Sequence, residues 1–299
     1  MAADARILLI GASGQLGFEL RRALAPLGPV LAVGRKECDL TDIDKLRELV
    51  RTCRPAIVVN AAAYTAVDHA ETDVETATLV NETAVRAIGE EAARIGACVV
   101  HYSTDYVFDG EKPGSYSEQD TPAPKNVYGK TKLAGEAALQ AVCPQSLIFR
   151  TSWVVGAHGG NFAKTILRLA KERDSLRIVA DQTGAPTSAA LIADVSAQII
   201  GRMQREDRAD FPFGLYHLAA GGETTWFEYA RFVVRHAREA GQSLRIEPEQ
   251  IEPIRSDEYP TPAARPQNSR LNTRKLRSTF NLDLPLWQDG LTYILEQLP

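Results

Sequence analysis

The stretch RILLIGASGQLGFELRRAL, residues 6–24, decides the fold. It begins with an apolar run of strand length and passes through three glycines, Gly11, Gly14 and Gly17. It then opens into a segment where Leu16, Leu20, Ala23 and Leu24 keep the 3.6-residue spacing of a helix face. Strand, glycine turn and helix in that order have a specific use. One glycine makes the tight turn, one lets the backbone approach a pyrophosphate, and one lets helix and strand pack closely. The helix start offers phosphate its unpaired N–H groups and the positive end of its dipole. Gly11, Gly14 and Gly17, with Gln15 and Leu16 at the helix start, are therefore the expected dinucleotide-binding residues.

Outward from this stretch, the first half of the chain alternates short β-branched runs with longer helical patterns. Residues 30–33, 56–60, 97–103 and 146–150 read as further strands, and 15–25, 42–52, 74–95 and 130–142 as helices. The first four strands are almost continuously apolar, as strands buried on both faces are. The alternation predicts right-handed β-α-β crossovers and an α/β fold with a doubly wound, Rossmann-like parallel sheet. After about residue 155 the alternation weakens. Helical patterns recur at 161–172, 189–205, 225–240 and 286–298, with strand-like pieces LRIVA and GLYHL. The expected organisation is a dinucleotide-binding domain over 1–155. A smaller, mixed α/β substrate-binding domain over 156–299 follows, from which the chain is free to cross back. The Gly-, Pro- and Ser-rich loop 108–125 is long enough to be functional.

Bulk properties exclude several classes. The 299 residues are 44% hydrophobic and 24% charged, with a net charge of -4. This is an ordinary globular composition, without the basic runs that would mark nucleic-acid or acidic-membrane partners. Cys38, Cys53, Cys98 and Cys143 are scattered and form no Cys-x-x-Cys pair, which argues against structural zinc and a disulfide framework. The opening apolar run is too short for a signal peptide or a spanning helix, which places the protein in the cytoplasm.

The glycine spacing is Gly-x-x-Gly-x-x-Gly, which resembles the extended branch of the short-chain dehydrogenase/reductase superfamily. At the end of the second strand, where an acid would bond a ribose 2′-hydroxyl, stands Gly34, followed by Arg35 and Lys36. Two cations beside an empty acid position suit a 2′-phosphate, so NADPH is the expected cofactor, with NADH as the second candidate. Asp39 and Leu40 resemble the superfamily's adenine-contacting pair. Ala61, Ala62 and Ala63 match its small-residue turn beside the cofactor.

A second stretch, NVYGKTKLAGE over 126–136, carries the chemistry. Tyr128 and Lys132 lie one helical turn apart on one face. A phenol with a pKa near 10 is a poor acid–base partner at neutral pH. A neighbouring ammonium, with the positive charge of an oxidised nicotinamide, favours the phenolate, and lowering the phenol's pKa by ~2–3 takes roughly 3–4 kcal/mol of differential stabilisation. Lys132 would also hold the nicotinamide ribose. Thr104, after the fourth strand in VVHYSTDYVFDG, supplies a hydroxyl for the substrate oxygen. His101, on that apolar strand, reads as a satisfied core histidine.

The strings GASGQLG, NAAAYTAVDHAE, HYSTDYVFDG, NVYGKTKLAGE, FRTSWV, NFAKTILRLAKER, DQTGAPT, LYHLAAGGETTWFEYA and YPTPAARPQNSRLNT together resemble the dTDP-4-dehydrorhamnose reductase family over nearly the whole chain. The resemblance implies hydride reduction of the C4 ketone of dTDP-6-deoxy-L-lyxo-4-hexulose to dTDP-L-rhamnose. Tyr128 would be the proton donor, with Thr104 on the same oxygen. It further implies that Asp105 accepts from a sugar hydroxyl and that Trp153 lies along the hexose. Thr65 would stand at the cofactor–substrate boundary, and Tyr102 would face the cofactor cleft. Trp153 as core and Asp105 as a turn cap remain alternatives. Arg265 and Arg270 suit either the substrate's diphosphate or structural salt bridges.

Members of this family have been described with a Mg²⁺ between subunits, held by three glutamates. Here Glu19 matches the first, but Ala190 and Gln297 stand at the other two. No such metal bridge is expected, and a homodimer would need other contacts. Two rivals share Tyr128 and Lys132 or the fold: another nucleotide-sugar epimerase or reductase, and a non-catalytic NADP-binding regulatory subunit. The intact Thr104, Tyr128 and Lys132 oppose the second.

Overall fold

A computed structural model describes residues 7–298; Arg6, the expected first residue of strand one, lies outside them. Six strands form one parallel sheet: β1 (Ile7–Ile10), β2 (Val30–Val33), β3 (Ile57–Asn60), β4 (Cys98–Thr104), β5 (Ser146–Thr151) and β6 (Gly214–His217). Their order across the sheet is β6-β5-β4-β3-β1-β2. Because strand side chains alternate, the apolar runs feed two cores at once. Ile7, Leu9, Ile57, Val59, Val100 and Phe149 face one layer, while Leu8, Ile10, Val58, Val99 and Ile148 face the other. Leu20 and Leu24 of α1 (Gln15–Leu24) help to cover the first face, and Leu46 and Val50 of α2 (Ile43–Cys53) the second. On the second face they are joined by Ile88 of α3 (Ala84–Ile95) and Leu139 of α4 (Val127–Val142).

The chain winds from β1 to β2 on one side and then to β3 on the other, so the carboxyl ends of β1 and β3 flank the switch point where such sheets bind ligands. The glycine turn sits there. Gly11 has φ +86°, and a Cβ on it would lie 2.6 Å from the backbone nitrogen of Ala62. A Cβ on Gly17 would lie 2.0 Å from the Gly11 carbonyl oxygen. Turn geometry and the close approach of three backbones account for these two glycines.

The helix expected over 74–95 is interrupted. Val74–Thr78 and α3 are joined by a five-residue π-helical segment, Leu79–Thr83. The segment presents the Asn81 carbonyl to α4, where a Cβ on Gly135 would lie 2.0 Å from that oxygen.

The second half divides between two places. α5 (Phe162–Glu172), α7 (Trp226–Glu239) and α9 (Trp287–Leu295) build a separate core of Ala163, Ile166, Tyr229, Val233 and Trp287. Beside it Leu176–Val179 pairs with Ile251–Ile254. By contrast α6 (Ala189–Met203) sends Ile192, Val195 and Ile199 into the core beneath α1. The GLYHL piece becomes β6, pairing in parallel with β5, and α8 (Arg274–Phe280) packs Leu276 and Phe280 in the same core. The sequence pattern does not signal α8, which is only seven residues long.

Candidate active site

Three contacts position α4. Asn126 caps it, accepting the Gly129 N–H at 2.8 Å and donating to the Ala264 carbonyl at 2.8 Å. The Val127 N–H donates to Glu71 at 2.8 Å. Gly129 permits the third: a Cβ there would lie 2.1 Å from the Tyr106 carbonyl oxygen, so the helix rests directly on the turn that follows β4. Tyr128 is thereby brought edge-on to the Tyr106 ring, with centroids 5.5 Å apart, and its phenol comes within hydrogen-bonding reach of Thr104.

Thr104 is buried. Its hydroxyl donates to Asp105 at 3.0 Å and accepts the Tyr106 N–H at 3.2 Å. Asp105 is 3% exposed, and its second carboxylate oxygen has no hydrogen-bond partner among the described residues. The hydroxyls of Ser103 and Thr151, at the carboxyl ends of β4 and β5, are likewise buried and unpartnered. Orphaned buried polar atoms are rare and costly, and here they gather where the sheet's strand ends open. Burial lifts the Asp105 carboxyl to about 6, against the influence of the nearby Ser269 and Thr104 hydroxyls. Removal from water likewise raises the Tyr128 phenol above its ordinary value, the Thr104 hydrogen bond opposing and the Asp105 charge assisting.

Burial, and not the Lys132 charge, dominates the phenol here. Lys132 is 1% exposed, and its Nζ donates to the Tyr102 carbonyl at 2.7 Å and lies 3.3 Å from His101 Nε2. Desolvation pulls the lysine itself down to about 8, with Glu136 opposing. A protonated phenol is the form a proton donor needs, so the shift suits the reductive direction.

Tyr102 also differs from expectation. Its ring lies in the core against Phe149, and its hydroxyl donates to Ser196 at 2.8 Å. Only its carbonyl meets the site, through Lys132. Trp153 adopts φ +48° and stacks on Trp226 with centroids 3.7 Å apart, so packing occupies one ring face. Thr65 is exposed beside the Ala61–Ala63 turn, whose three alanines are half-buried. Arg265 and Arg270 are both in ion pairs, with Asp68 at 2.6 Å and Glu223 at 3.1 Å.

On the cofactor side, Gly14 begins α1 with extended backbone. No side chain caps the helix and no acid lies in its first turn among the described residues, a start that fits an anionic diphosphate. Gln15 uses its side chain elsewhere, accepting the Gly156 N–H at 2.9 Å and the Asn161 amide at 3.0 Å, and Leu16 points into the core. Both therefore offer the turn their backbone. At the end of β2 the Gly34 N–H donates to Glu37 at 2.9 Å. A Cβ on Gly34 would lie 3.2 Å from that carboxylate and 3.2 Å from the Ser13 hydroxyl. A carboxylate from three residues on therefore stands beside position 34, which the sequence pattern concealed. Arg35 lies 3.5 Å from Asp39, which also accepts from the Thr41 N–H and hydroxyl, and Leu40 is core.

Asn81 was not singled out from the sequence. It is buried, accepts the Tyr64 N–H at 2.9 Å, and donates to the Tyr64 carbonyl and to Thr131 at 3.1 Å each, tying the cofactor-side turn to α4. Its signal is tertiary: only the π-helical segment turns it inward. The Mg²⁺ bridge described for the resembled family does not fit the donors present. Glu19 is buried and pairs with Arg22 at 3.3 Å, Ala190 is apolar, and Gln297 donates to the Tyr293 carbonyl. A hard dication needs several oxygen ligands, usually carboxylates.

A glycine turn at the switch point, with Tyr and Lys one turn apart beside the end of the adjacent strand, is the arrangement of the short-chain dehydrogenase/reductase class. Within that class the chain belongs to the family described as the RmlD substrate binding domain, whose profile matches residues 5–299. It is 51% identical to the dTDP-4-dehydrorhamnose reductase of Escherichia coli (strain K12), over 98% of this chain and 97% of that one. The crystal structure of a dTDP-4-dehydrorhamnose reductase from Clostridium acetobutylicum superposes with a TM-score of 0.89 at 32% identity, covering 97% of this chain and 98% of that one. The Bacillus anthracis enzyme of the same name, in complex with NADP, gives 0.85 at 34% identity, covering 99% and 100%. Among the described residues no helix is long and apolar enough to cross a membrane.

Proposed function

We propose that this chain reduces the C4 ketone of dTDP-6-deoxy-L-lyxo-4-hexulose to dTDP-L-rhamnose, with NADPH as the preferred cofactor and NADH as the second. When bound, the reduced nicotinamide supplies the hydride. The chain's own residues do the rest. Tyr128, held as a phenol, gives its proton to the developing alkoxide, and the Thr104 hydroxyl bonds the same oxygen. Asp105 presents its free oxygen to a sugar hydroxyl, and Trp153 borders the hexose on its unstacked side. The backbone at Gly11, Gly14, Gln15, Leu16 and Gly17 receives the diphosphate. Arg35 stands beside the 2′-phosphate, while Glu37 competes for the same place and limits the preference for NADPH.

The observation that carries this reading is the convergence of the Tyr128 phenol and the Thr104 hydroxyl at the end of β4, beside a buried carboxylate with one bare oxygen. The test follows absorbance at 340 nm with NADPH and enzymatically generated dTDP-6-deoxy-L-lyxo-4-hexulose. Oxidation by the wild type and its loss in Tyr128→Phe support the reading. Tight NADPH binding without turnover in the wild type would instead favour a regulatory subunit.

A further inference from the structure

Trp153 is one of three non-glycine residues with positive φ among the described residues. The other two, Arg54 and Asn281, each end a helix in the left-handed conformation that a C-cap uses. Trp153 ends no helix. A bulky residue held at φ +48° is strained, and such strain gathers where a side chain is presented to a ligand.

Its surroundings hold it there. The Trp153 carbonyl accepts the Thr187 N–H at 3.2 Å. One ring face stacks on Trp226, which is backed in turn by Phe162 at 4.6 Å and Tyr229 at 5.8 Å, centroid to centroid. Indole atoms Cε2 and Cζ2 face Gly184: a Cβ there would lie 2.7 and 2.8 Å from them, and 3.1 Å from the Ser269 Cβ. Gly184 is not among the glycines with positive φ, so space and not backbone conformation excludes a side chain. One ribbon delivers both contacts. Thr183–Gly184 pairs antiparallel with Thr224–Thr225, and Trp226 follows directly. The ribbon is itself fixed, since the Thr183 N–H donates to the Gln267 carbonyl at 2.8 Å and the Thr183 carbonyl accepts the Ser269 N–H at 2.7 Å. A cleft of about 230 Å³ opens alongside, with Ser152, Ala185 and Ser269 in its lining.

We propose that Gly184 and Trp226 are positioning residues for the sugar nucleotide, acting through Trp153: Trp226 supports one indole face, and the missing side chain at 184 fixes where the indole stands against the hexose. A methyl group at 184 has no room until the indole moves, because Trp226 is backed by the core and the ribbon is tied to the Gln267–Ser269 segment. The border that Trp153 gives the hexose moves with it. Tyr128, Thr104 and the glycine turn are untouched, so the defect falls on substrate binding and not on chemistry. The inference rests on the reading of Trp153 as a border of the hexose site.

The chain has three tryptophans, so ¹⁵N-indole spectra read the ring directly. In NADPH-loaded wild type, dTDP-L-rhamnose binds as product without turnover and should shift the Trp153 resonance, assigned from Trp153→Leu. An unmoved resonance overturns the proposal. Without ligand, Gly184→Ala should shift the Trp153 and Trp226 resonances and leave that of Trp287 in place; unshifted Trp153 overturns it too. In the 340 nm assay, Gly184→Ala should raise KM for the sugar nucleotide at least about tenfold and keep kcat within about threefold, as loss of uniform binding does. An unchanged KM, or a fall in kcat alone, overturns the proposal. The KM effect should vanish in the Trp153→Leu background, where no ring atoms occupy the contested space; effects that simply add contradict action through the indole. Trp226→Leu should also raise KM, and Trp226→Phe, which keeps a stacking face, should restore it. That pair decides the matter should Gly184→Ala not fold. Absence of wild-type turnover defeats the reductase reading instead, and the indole spectra then decide the inference by themselves.

Discussion

Two buried carboxylates lie on opposite sides of the question of what a charge is for. Glu91, on α3, is 1% exposed and accepts from Arg47 at 2.8 Å, Arg51 at 2.8 and 2.7 Å, and Arg94 at 2.7 Å. The Arg51 hydrogen bonds lead in pulling it down to about 2, against desolvation. Asp105 is as deeply buried, yet no cation pairs with it among the described residues and one oxygen is bare, so burial wins and lifts it to about 6. One carboxylate is saturated and holds α2 to α3. The other is left with bonding capacity at a strand end, as a group awaiting a ligand is. The comparison separates structure from function without reference to a substrate.

The sharpest way to break it is Tyr128→Phe. Its turnover should fall by ~10²–10⁴, with melting temperature and cofactor affinity unchanged. A loss of stability comparable to the loss of rate would make Tyr128 a packing residue.

Asp105→Asn comes next. Because the folded carboxyl titrates at about 6 and an unfolded one near 3.8, its stabilising contribution is fully present below pH 3.8 and is lost as pH rises through 6. The Asn variant, which keeps the oxygen that accepts from Thr104, should be more stable than wild type by roughly 1–3 kcal/mol at pH 7. The difference should vanish near pH 4, and activity should drop by at least about tenfold. Denaturant melts at the two pH values decide it; a destabilised variant at pH 7 contradicts the bare-oxygen account.

Glu91→Gln should do the opposite, costing about 1–2 kcal/mol at pH 7 while turnover is kept, since its arginine partners are partly exposed and screened. Here the folded pKa is depressed, so the contribution is present above pH 4.5 and lost as pH falls toward 2. Wild-type and variant melting temperatures should therefore converge on acidification.

The smallest effect belongs to Glu37→Gln, where a several-fold rise in the NADPH-to-NADH ratio of Kd-derived affinities is expected, read by nicotinamide fluorescence. An unchanged ratio removes Glu37 from cofactor selection.

Local grammar carried much of this molecule. The glycine turn, the five apolar strands of the first half, the helices between them and the Tyr128–Lys132 spacing were legible because each depends on residues within one turn or one strand of each other. Gly129 and Gly135 show where that grammar stops: both weaken a helix in isolation, and only the neighbouring Tyr106 and Asn81 carbonyls explain them.

The sequence by itself therefore determined the class of fold, the glycine turn and the placing of Tyr128 and Lys132 one turn apart on a single helix. Tertiary structure alone decided that GLYHL joins the main sheet and that the Tyr102 ring turns away from the cleft. It also decided that Glu37 returns to Gly34, and that His101 stands between Asn60 and Lys132. A strand buried on both faces has no polar side to reveal which residues look toward the site, and parallel pairing joins residues distant in sequence. Alternation can be read along the chain, but which neighbour each face meets is fixed only when the sheet assembles.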